Sequence, residues 1–218
     1  MIQIKRFTFN PFQVNTYVLF DDSKECVIID PGMDNDAEKK VLLDFISENA
    51  LTPVMLLNTH AHIDHILSND FIAKHFNIKL FAHDDSADFL HEATSHAMAF
   101  GLQIDTVKAI DEFFVDEQIV GFGNSELKVL ETPGHANGSI CFYSEEGNFV
   151  VTGDVLFRES IGRTDLKTGN YDLLQKSIWE KLFTLSDDTT AYPGHGPETK
   201  IGFEKLHNPF VAIGKDLD

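Results

Sequence analysis

The sequence predicts a single α/β domain spanning residues 1–218, and three observations carry that reading. Short β-like apolar runs alternate with stretches whose apolar residues recur at helical spacing. Gly, Pro, Asn and Asp punctuate the joins between them. Side chains able to hold metal ions stand just after several of the predicted strands, where α/β folds build their sites. A chain of 218 residues can bury a large core as one domain, and 43% apolar residues with 19 Phe supply it.

In chain order, residues 2–9, 14–20 and 25–30 read as three strands, the last two joined by the polar turn Asp21-Asp22-Ser23-Lys24. Asp30-Pro31-Gly32 ends that meander. From Asp34 to Asn49, Val41, Leu42, Phe45 and Ile46 recur at helical spacing, with Asp34 or Asn35 as N-cap. Thr52 to Asn58 is an apolar strand of the kind buried on both faces. A helix over 67–76, a strand over 78–82 and a helix from Asp84 to Gly101 follow. Then come strands at 117–121, 126–131, 139–144 and 148–153, with turns at Gly121, Gly123, Gly147 and Asn148. A helix at 171–184 carries Leu173, Leu174, Ile178, Leu182 and Phe183 on one stripe around Trp179, and a strand at 189–192 and a short helix end the chain.

Composition narrows the partners. With 35 acidic against 17 basic side chains, the net charge of −18 repels phosphate backbones and anionic lipid, so neither nucleic acid nor membrane is an expected partner. The N-terminus, Met1-Ile2-Gln3-Ile4-Lys5-Arg6-Phe7, alternates like a strand and lacks the apolar core of an export signal. Cys26 and Cys141 lie in apolar β-like contexts and read as buried thiols, neither a disulfide framework nor nucleophiles. A cytoplasmic location fits both features.

The densest chemistry lies in Thr59-His60-Ala61-His62-Ile63-Asp64-His65. Residues two apart on extended chain point the same way, so His60 and His62 can bite one cation while a turn sends Asp64 and His65 toward a second. A His-rich surface loop is the plain alternative for this stretch alone; matching contexts elsewhere argue against it. Thr132-Pro133-Gly134-His135 and Tyr192-Pro193-Gly194-His195 each end a predicted strand with Pro-Gly-His. The proline fixes the exit, and the glycine permits a backbone angle that lets the imidazole turn back over the sheet edge. Gly153-Asp154 adds a carboxylate after another apolar run. Five His and two Asp suit Zn, Fe or Mn, and seven ligands are too many for one tetrahedral ion but enough for two that share a carboxylate. His75, His83, His91, His96 and His207 lack partners at ligand spacing and read as structural, surface or lid residues.

This set resembles the metallo-β-lactamase superfamily, with its His-x-His-x-Asp-His loop followed by His, Asp and His, over essentially the whole chain. The resemblance implies a four-layer αββα sandwich with a binuclear site at one edge. It also implies that His60, His62 and His135 bind one metal, that Asp64, His65 and His195 bind the other, and that Asp154 bridges. Gly153-Asp154-Val155-Leu156-Phe157, Ser160-Ile161-Gly162-Arg163-Thr164-Asp165-Leu166, Asn15-Thr16-Tyr17 and Gly138-Ser139 resemble the short bacterial glyoxalase II-like hydrolases. One departure is Ala136-Asn137, where such relatives commonly carry Thr-Pro, a change in the stiffness of the loop. Another is length: 23 residues follow His195, whereas longer glyoxalase II enzymes carry an extra helical region that grips glutathione.

The implied reaction is hydrolysis of a small acyl thioester. Two cations about 3.5 Å apart hold a hydroxide at neutral pH, because metal binding lowers the pKa of water from about 15.7 to about 7. A thiolate with a conjugate-acid pKa of about 8.5 leaves with little help from a general acid. Asp64 is a ligand first, with a further part in positioning the water's proton. Arg163, in the loop after Asp154, is the candidate for an anionic substrate group, with a structural ion pair to Asp165 as its alternative. Two other reactions fit the same motif: oxidation by a mononuclear-iron persulfide dioxygenase held by His60, His135 and Asp154, and hydrolysis of a lactone or ester.

Overall fold

The computed structural model describes residues 1–104 and 106–213, which divide into two compact units: 1–114 with 120–126, and 115–119 with 127 onward. The first unit is built on a six-stranded sheet. Strands β1 (Gln3–Phe9), β2 (Val14–Phe20) and β3 (Glu25–Ile29) form an antiparallel meander. Helix α1 (Asp36–Glu48) then crosses over to β4 (Thr52–Leu57), which lies parallel to β3. Asn35 is the α1 cap, its side chain accepting the Glu38 N–H. Leu42 and Ile46 face the core as the spacing predicts, whereas Val41, at the edge of the stripe, is half-exposed. After β4 come a single helical turn, α2 (Ile63–Ile66), and α3 (Asn69–Phe76). Strand β5 (Leu80–His83), α4 (Ala87–Ala99) and β6 (Glu112–Phe114) complete the unit, β5 and β6 extending the parallel half of the sheet.

β6 escapes sequence reading because a three-residue run shows no period. β4 is not buried on both faces throughout: Thr52 is exposed and Val54 and Met55 are half-buried. The core of the unit gathers Phe9, Val14, Val18, Ile28, Leu42, Leu56, Ile72 and Leu80 from both sides of the meander-to-parallel switch.

The second sheet has the order β14-β13-β10-β9-β8-β7. β7 (Ile119–Phe122) and β8 (Ser125–Glu131) form a hairpin whose tip, 120–126, groups with the first unit. There Asp21 accepts from Ser23 N (2.8 Å), Asn124 N (2.8 Å) and Ser125 Oγ (2.7 Å). β9 (Ile140–Ser144) and β10 (Phe149–Gly153) continue antiparallel. A short hairpin follows, β11 (Leu156–Phe157) with β12 (Ser160–Ile161), then α5 (Tyr171–Ser177) running on into a π turn at Ile178–Leu182. β13 (Thr190–Pro193) pairs parallel with β10, and β14 (Thr199–Lys200) leads into α6 (Ile201–His207). Leu174, Ile178 and Leu182, one helical turn apart, pack with Cys141, Val150 and Ala191 in this unit's core. Trp179 stands half-exposed, its indole N–H donating to the Val211 carbonyl at 2.8 Å. β11, β12 and β14 are two-residue pairs that no sequence period announces.

Candidate metal centre

Parallel pairing places the first cluster of site residues. In the β3–β4 register Ile29 faces Leu57, and Asp30 N–H donates to the Leu57 carbonyl at 3.0 Å, so Asp30 lands beside the Asn58–His65 loop. Thr16, on β2, holds the turn after Asp30: its hydroxyl donates to the Asp30 carbonyl (2.6 Å) and accepts the Gly32 N–H (3.1 Å). Gly32 is required here, because a Cβ would lie 2.5 Å from the Asp64 carbonyl and 2.2 Å from Val14 Cγ1.

Within the loop one carboxylate sets the two buried imidazoles. Asp30, itself buried, accepts from Thr59 N (2.8 Å), Thr59 Oγ1 (2.6 Å), Asn58 Nδ2 (3.2 Å) and His65 Nδ1 (2.9 Å). Because the Thr59 hydroxyl hydrogen goes to Asp30, the Thr59 oxygen accepts from His60 Nδ1 at 3.1 Å. Both imidazoles therefore carry their proton on Nδ1 and turn an Nε2 lone pair the other way. His60 presents Nε2 to His62 Nδ1 at 3.1 Å, and His65 presents Nε2 to Asp64 Oδ2 at 3.6 Å. Phe89, on α4, packs edge-on against the His62 ring at 5.3 Å.

The second unit builds its cluster from loops far apart in sequence. β10 and β13 run parallel with Gly153 facing Pro193, and Gly194 N–H donates to the Gly153 carbonyl at 2.8 Å, bringing Asp154 and His195 together. β8 runs in the same direction as β10 across the intervening β9, so the turn after it delivers His135 to the same edge. His135 Nδ1 donates to the Arg163 carbonyl at 2.8 Å, leaving its Nε2 as the lone pair, 3.6 Å from Asp154 Oδ2. His195 Nε2 lies 3.5 Å from that same oxygen. Gly162 lets the loops close up: a Cβ there would sit 1.9 Å from the Asp154 carbonyl and 2.9 Å from His135 Nδ1.

The structure thus places all seven predicted ligands, His60, His62, Asp64 and His65 together in the first unit and His135, Asp154 and His195 together in the second. The donor chemistry suits cations. A lone pair facing a carboxylate oxygen repels it unless a positive charge sits between them, and that arrangement occurs at His65–Asp64 and again at His135–Asp154. Two ligand atoms about 2.0–2.1 Å from one tetrahedral ion stand roughly 3.4 Å apart, close to the separations found.

Other side chains named by the sequence fall elsewhere. Arg163 makes a two-pronged pair with Asp165, Nε to Oδ1 at 2.8 Å and Nη2 to Oδ2 at 2.7 Å, both side chains exposed. That pair holds the Asp165 carboxyl down to about 2. His75 packs on Phe71 and Phe76, His207 on Phe203, His96 lies 3.6 Å from Glu92, and His91 is exposed. His83 Nδ1 accepts the Asp85 N–H, capping a short 3₁₀ turn. Cys26 and Cys141 are buried free thiols, both pushed up to about 12 by burial, so neither is a nucleophile at neutral pH. Sequence reasoning missed Asp30 and Thr59 as the pair that orients His60 and His65. The signal available was the Asp-Pro-Gly stop directly after β3.

Comparison with known proteins shows the family. The family model of the metallo-beta-lactamase superfamily matches residues 9–195. The hydroxyacylglutathione hydrolase GloC of Haemophilus influenzae is 38% identical over 202 residues, covering 92% of this chain and 93% of the relative. Among solved structures, the BLEG-1 B3 metallo-beta-lactamase superposes with a TM-score of 0.88 at 38% identity, over 96% of this chain and 99% of that one. TTHA1623, solved in a di-iron-bound form, gives 0.83 at 34% identity over 95% and 100%. The α/β fold class expected from the sequence is therefore the fold of this chain, which belongs to the metallo-beta-lactamase superfamily of metallo-hydrolases.

Proposed function

We propose that the chain is a hydrolase of small acyl thioesters, with His60, His62 and His135 holding one divalent cation, Asp64, His65 and His195 a second, and Asp154 shared between them. The single observation that carries this is the repeated arrangement of an Nε2 lone pair against a carboxylate oxygen at 3.6 Å, once in each unit. Zinc is the metal proposed; Fe and Mn suit the same nitrogen and oxygen donors. Bound there, such cations would supply a water ionised near neutral pH and polarisation of an acyl carbonyl. The chain's own residues supply the rest. Asp30 and Thr59 fix the tautomers of His60 and His65, and the Arg163 carbonyl fixes that of His135, so each nitrogen is aimed before substrate arrives. Asp64, a ligand first, would also position the proton of the attacking water.

Similarity to GloC supports the thioester. A thiolate, with a conjugate-acid pKa of about 8.5, leaves without a general acid. Similarity to BLEG-1 makes a β-lactam amide the relevant competitor. The cytoplasm is the proposed location; among the described residues no helix is long and apolar enough to cross a membrane.

The test is a substrate panel under anaerobic conditions: acyl-glutathione and other acyl thioesters, a lactone and a β-lactam. Thioester turnover exceeding the other two is the expected result. β-Lactam turnover exceeding thioester turnover overturns the proposal. So does oxygen uptake on a persulfide by protein holding one iron, which is the dioxygenase reading.

A further inference from the structure

The loop that carries His135 is held at every residue from Pro133 to Asn137 except Ala136 by a hydrogen bond with the segment 163–177. Ser177 Oγ donates to the Pro133 carbonyl (2.7 Å), Asn170 N–H to the Gly134 carbonyl (2.8 Å), His135 Nδ1 to the Arg163 carbonyl (2.8 Å) and Asn137 N–H to Thr168 Oγ1 (3.0 Å). Three of these use a backbone carbonyl as acceptor. The fourth uses a side chain, and that side chain sits on a backbone its residue type avoids.

Thr168 has φ of 69°. A β-branched residue at positive φ is an outlier, since its Cβ substituents crowd the adjacent carbonyl, and glycine or asparagine would occupy such a turn without strain. Gly169, next in the chain, comes so close to Thr164 that a Cβ would lie 2.3 Å from its carbonyl oxygen. The turn at 168–169 is thereby forced into a tight conformation, and the strained member is the one whose hydroxyl reaches the His135 loop. Asn137 also matters, because its N–H is the donor, and a proline at that position would have none to give.

We infer that Thr168 is a positioning residue for His135: its hydroxyl clamps the ligand loop through the Asn137 N–H, and the strained backbone persists because that clamp sets the imidazole against its cation. This inference rests on His135 being a metal ligand, as proposed above. A purely structural role for Thr168 would touch folding stability and leave the cation's affinity alone.

The experiment compares wild-type protein with Thr168→Gly, Thr168→Val and Thr168→Ser, each loaded with zinc and challenged with a chromophoric chelator, with cobalt-substituted spectra and thermal unfolding of the metal-free proteins alongside. Thr168→Gly relieves the backbone and removes the acceptor; Thr168→Val removes the acceptor and keeps the branch; Thr168→Ser keeps the hydroxyl. The expected result is one of two zinc ions released about tenfold more readily from the Gly and Val variants, as for other outer-shell partners of metal-bound His. Their cobalt spectra change, Thr168→Ser behaves as wild type, and metal-free Thr168→Gly unfolds no earlier than wild type. Wild-type zinc affinity in both Gly and Val variants overturns the inference while leaving the metal centre standing. Wild-type protein that binds no zinc overturns the inference together with the metal centre on which it rests.

Discussion

In the first unit the four proposed ligands come from six consecutive residues, and a buried side-chain carboxylate, Asp30, orients the two imidazoles at its heart. In the second unit the three proposed ligands come from positions 135, 154 and 195, and backbone groups do the orienting: the Arg163 carbonyl for His135 and the Gly153–Gly194 hydrogen bond for Asp154 and His195. The first design concentrates information in side chains. Strand register and a close-approach glycine serve both clusters, but the second draws its residues from three separate loops, so its geometry depends more on the fold remaining intact. Substitutions should therefore separate the two: changing the Asp30 side chain acts on metal affinity with little effect on folding, while a Cβ added at Gly162, beside His135, acts on both.

The largest expected effect is at the ligands themselves. His62→Ala and Asp154→Ala each bring turnover to background with the circular-dichroism spectrum kept, and full activity of Asp154→Ala would contradict its shared role. Next come the two close-approach glycines. Gly162→Ala must displace the Asp154 carbonyl and Gly32→Ala the Asp64 carbonyl, each costing about 1–3 kcal/mol by overpacking. Denaturant unfolding reads both, and a variant as stable as wild type would show that its loop yields.

Asp30→Asn keeps the shape but turns one accepting oxygen into a donor. It should weaken chelator-measured zinc affinity by roughly 10–100-fold with only a modest change in unfolding midpoint. Wild-type affinity would remove Asp30 from the centre.

Away from the centre, Asp21 offers a control in the first unit. Burial alone would raise its pKa, but hydrogen bonds from Ser23, Ser125 and Asn124 outweigh that and hold it below the usual range. A carboxylate depressed in the folded state contributes stability above its unfolded pKa of about 3.9, and this is lost as pH falls through the lower folded value. Asp21→Ala should cost about 1–3 kcal/mol at pH 7 and flatten the acid limb of the stability profile, without altering zinc affinity.

The smallest effect belongs to Arg163→Ala. If the guanidinium meets an anionic substrate group, KM rises several-fold with kcat kept. Unchanged KM assigns it to the exposed pair with Asp165, and to the carbonyl that any residue at that position supplies.

Much of this was legible in the sequence where local pattern encodes it. The period of α1, the Asn35 cap and the alternation of the N-terminal meander all reflect short-range physics that one stretch of chain contains. The ligand loop could be read because its spacing is itself the geometry. What could not be read depends on distant pairing. β6, β11, β12 and β14 are too short to show a period and exist because neighbours pair with them. Asp30 looked like a turn residue because only the β3–β4 register brings it to Thr59 and His65. Val41 fits the helical stripe yet stays half-exposed, since the packing surface is narrower than the stripe.

Metal stoichiometry tests the proposed binuclear centre most directly. Elemental analysis of protein purified without added metal, then titrated with zinc, should reach two ions per chain in the wild type, and Asp154→Ala should lower the affinity for both together. A wild-type chain that saturates at one ion, or two ions whose binding ignores Asp154, would contradict the proposed binuclear centre.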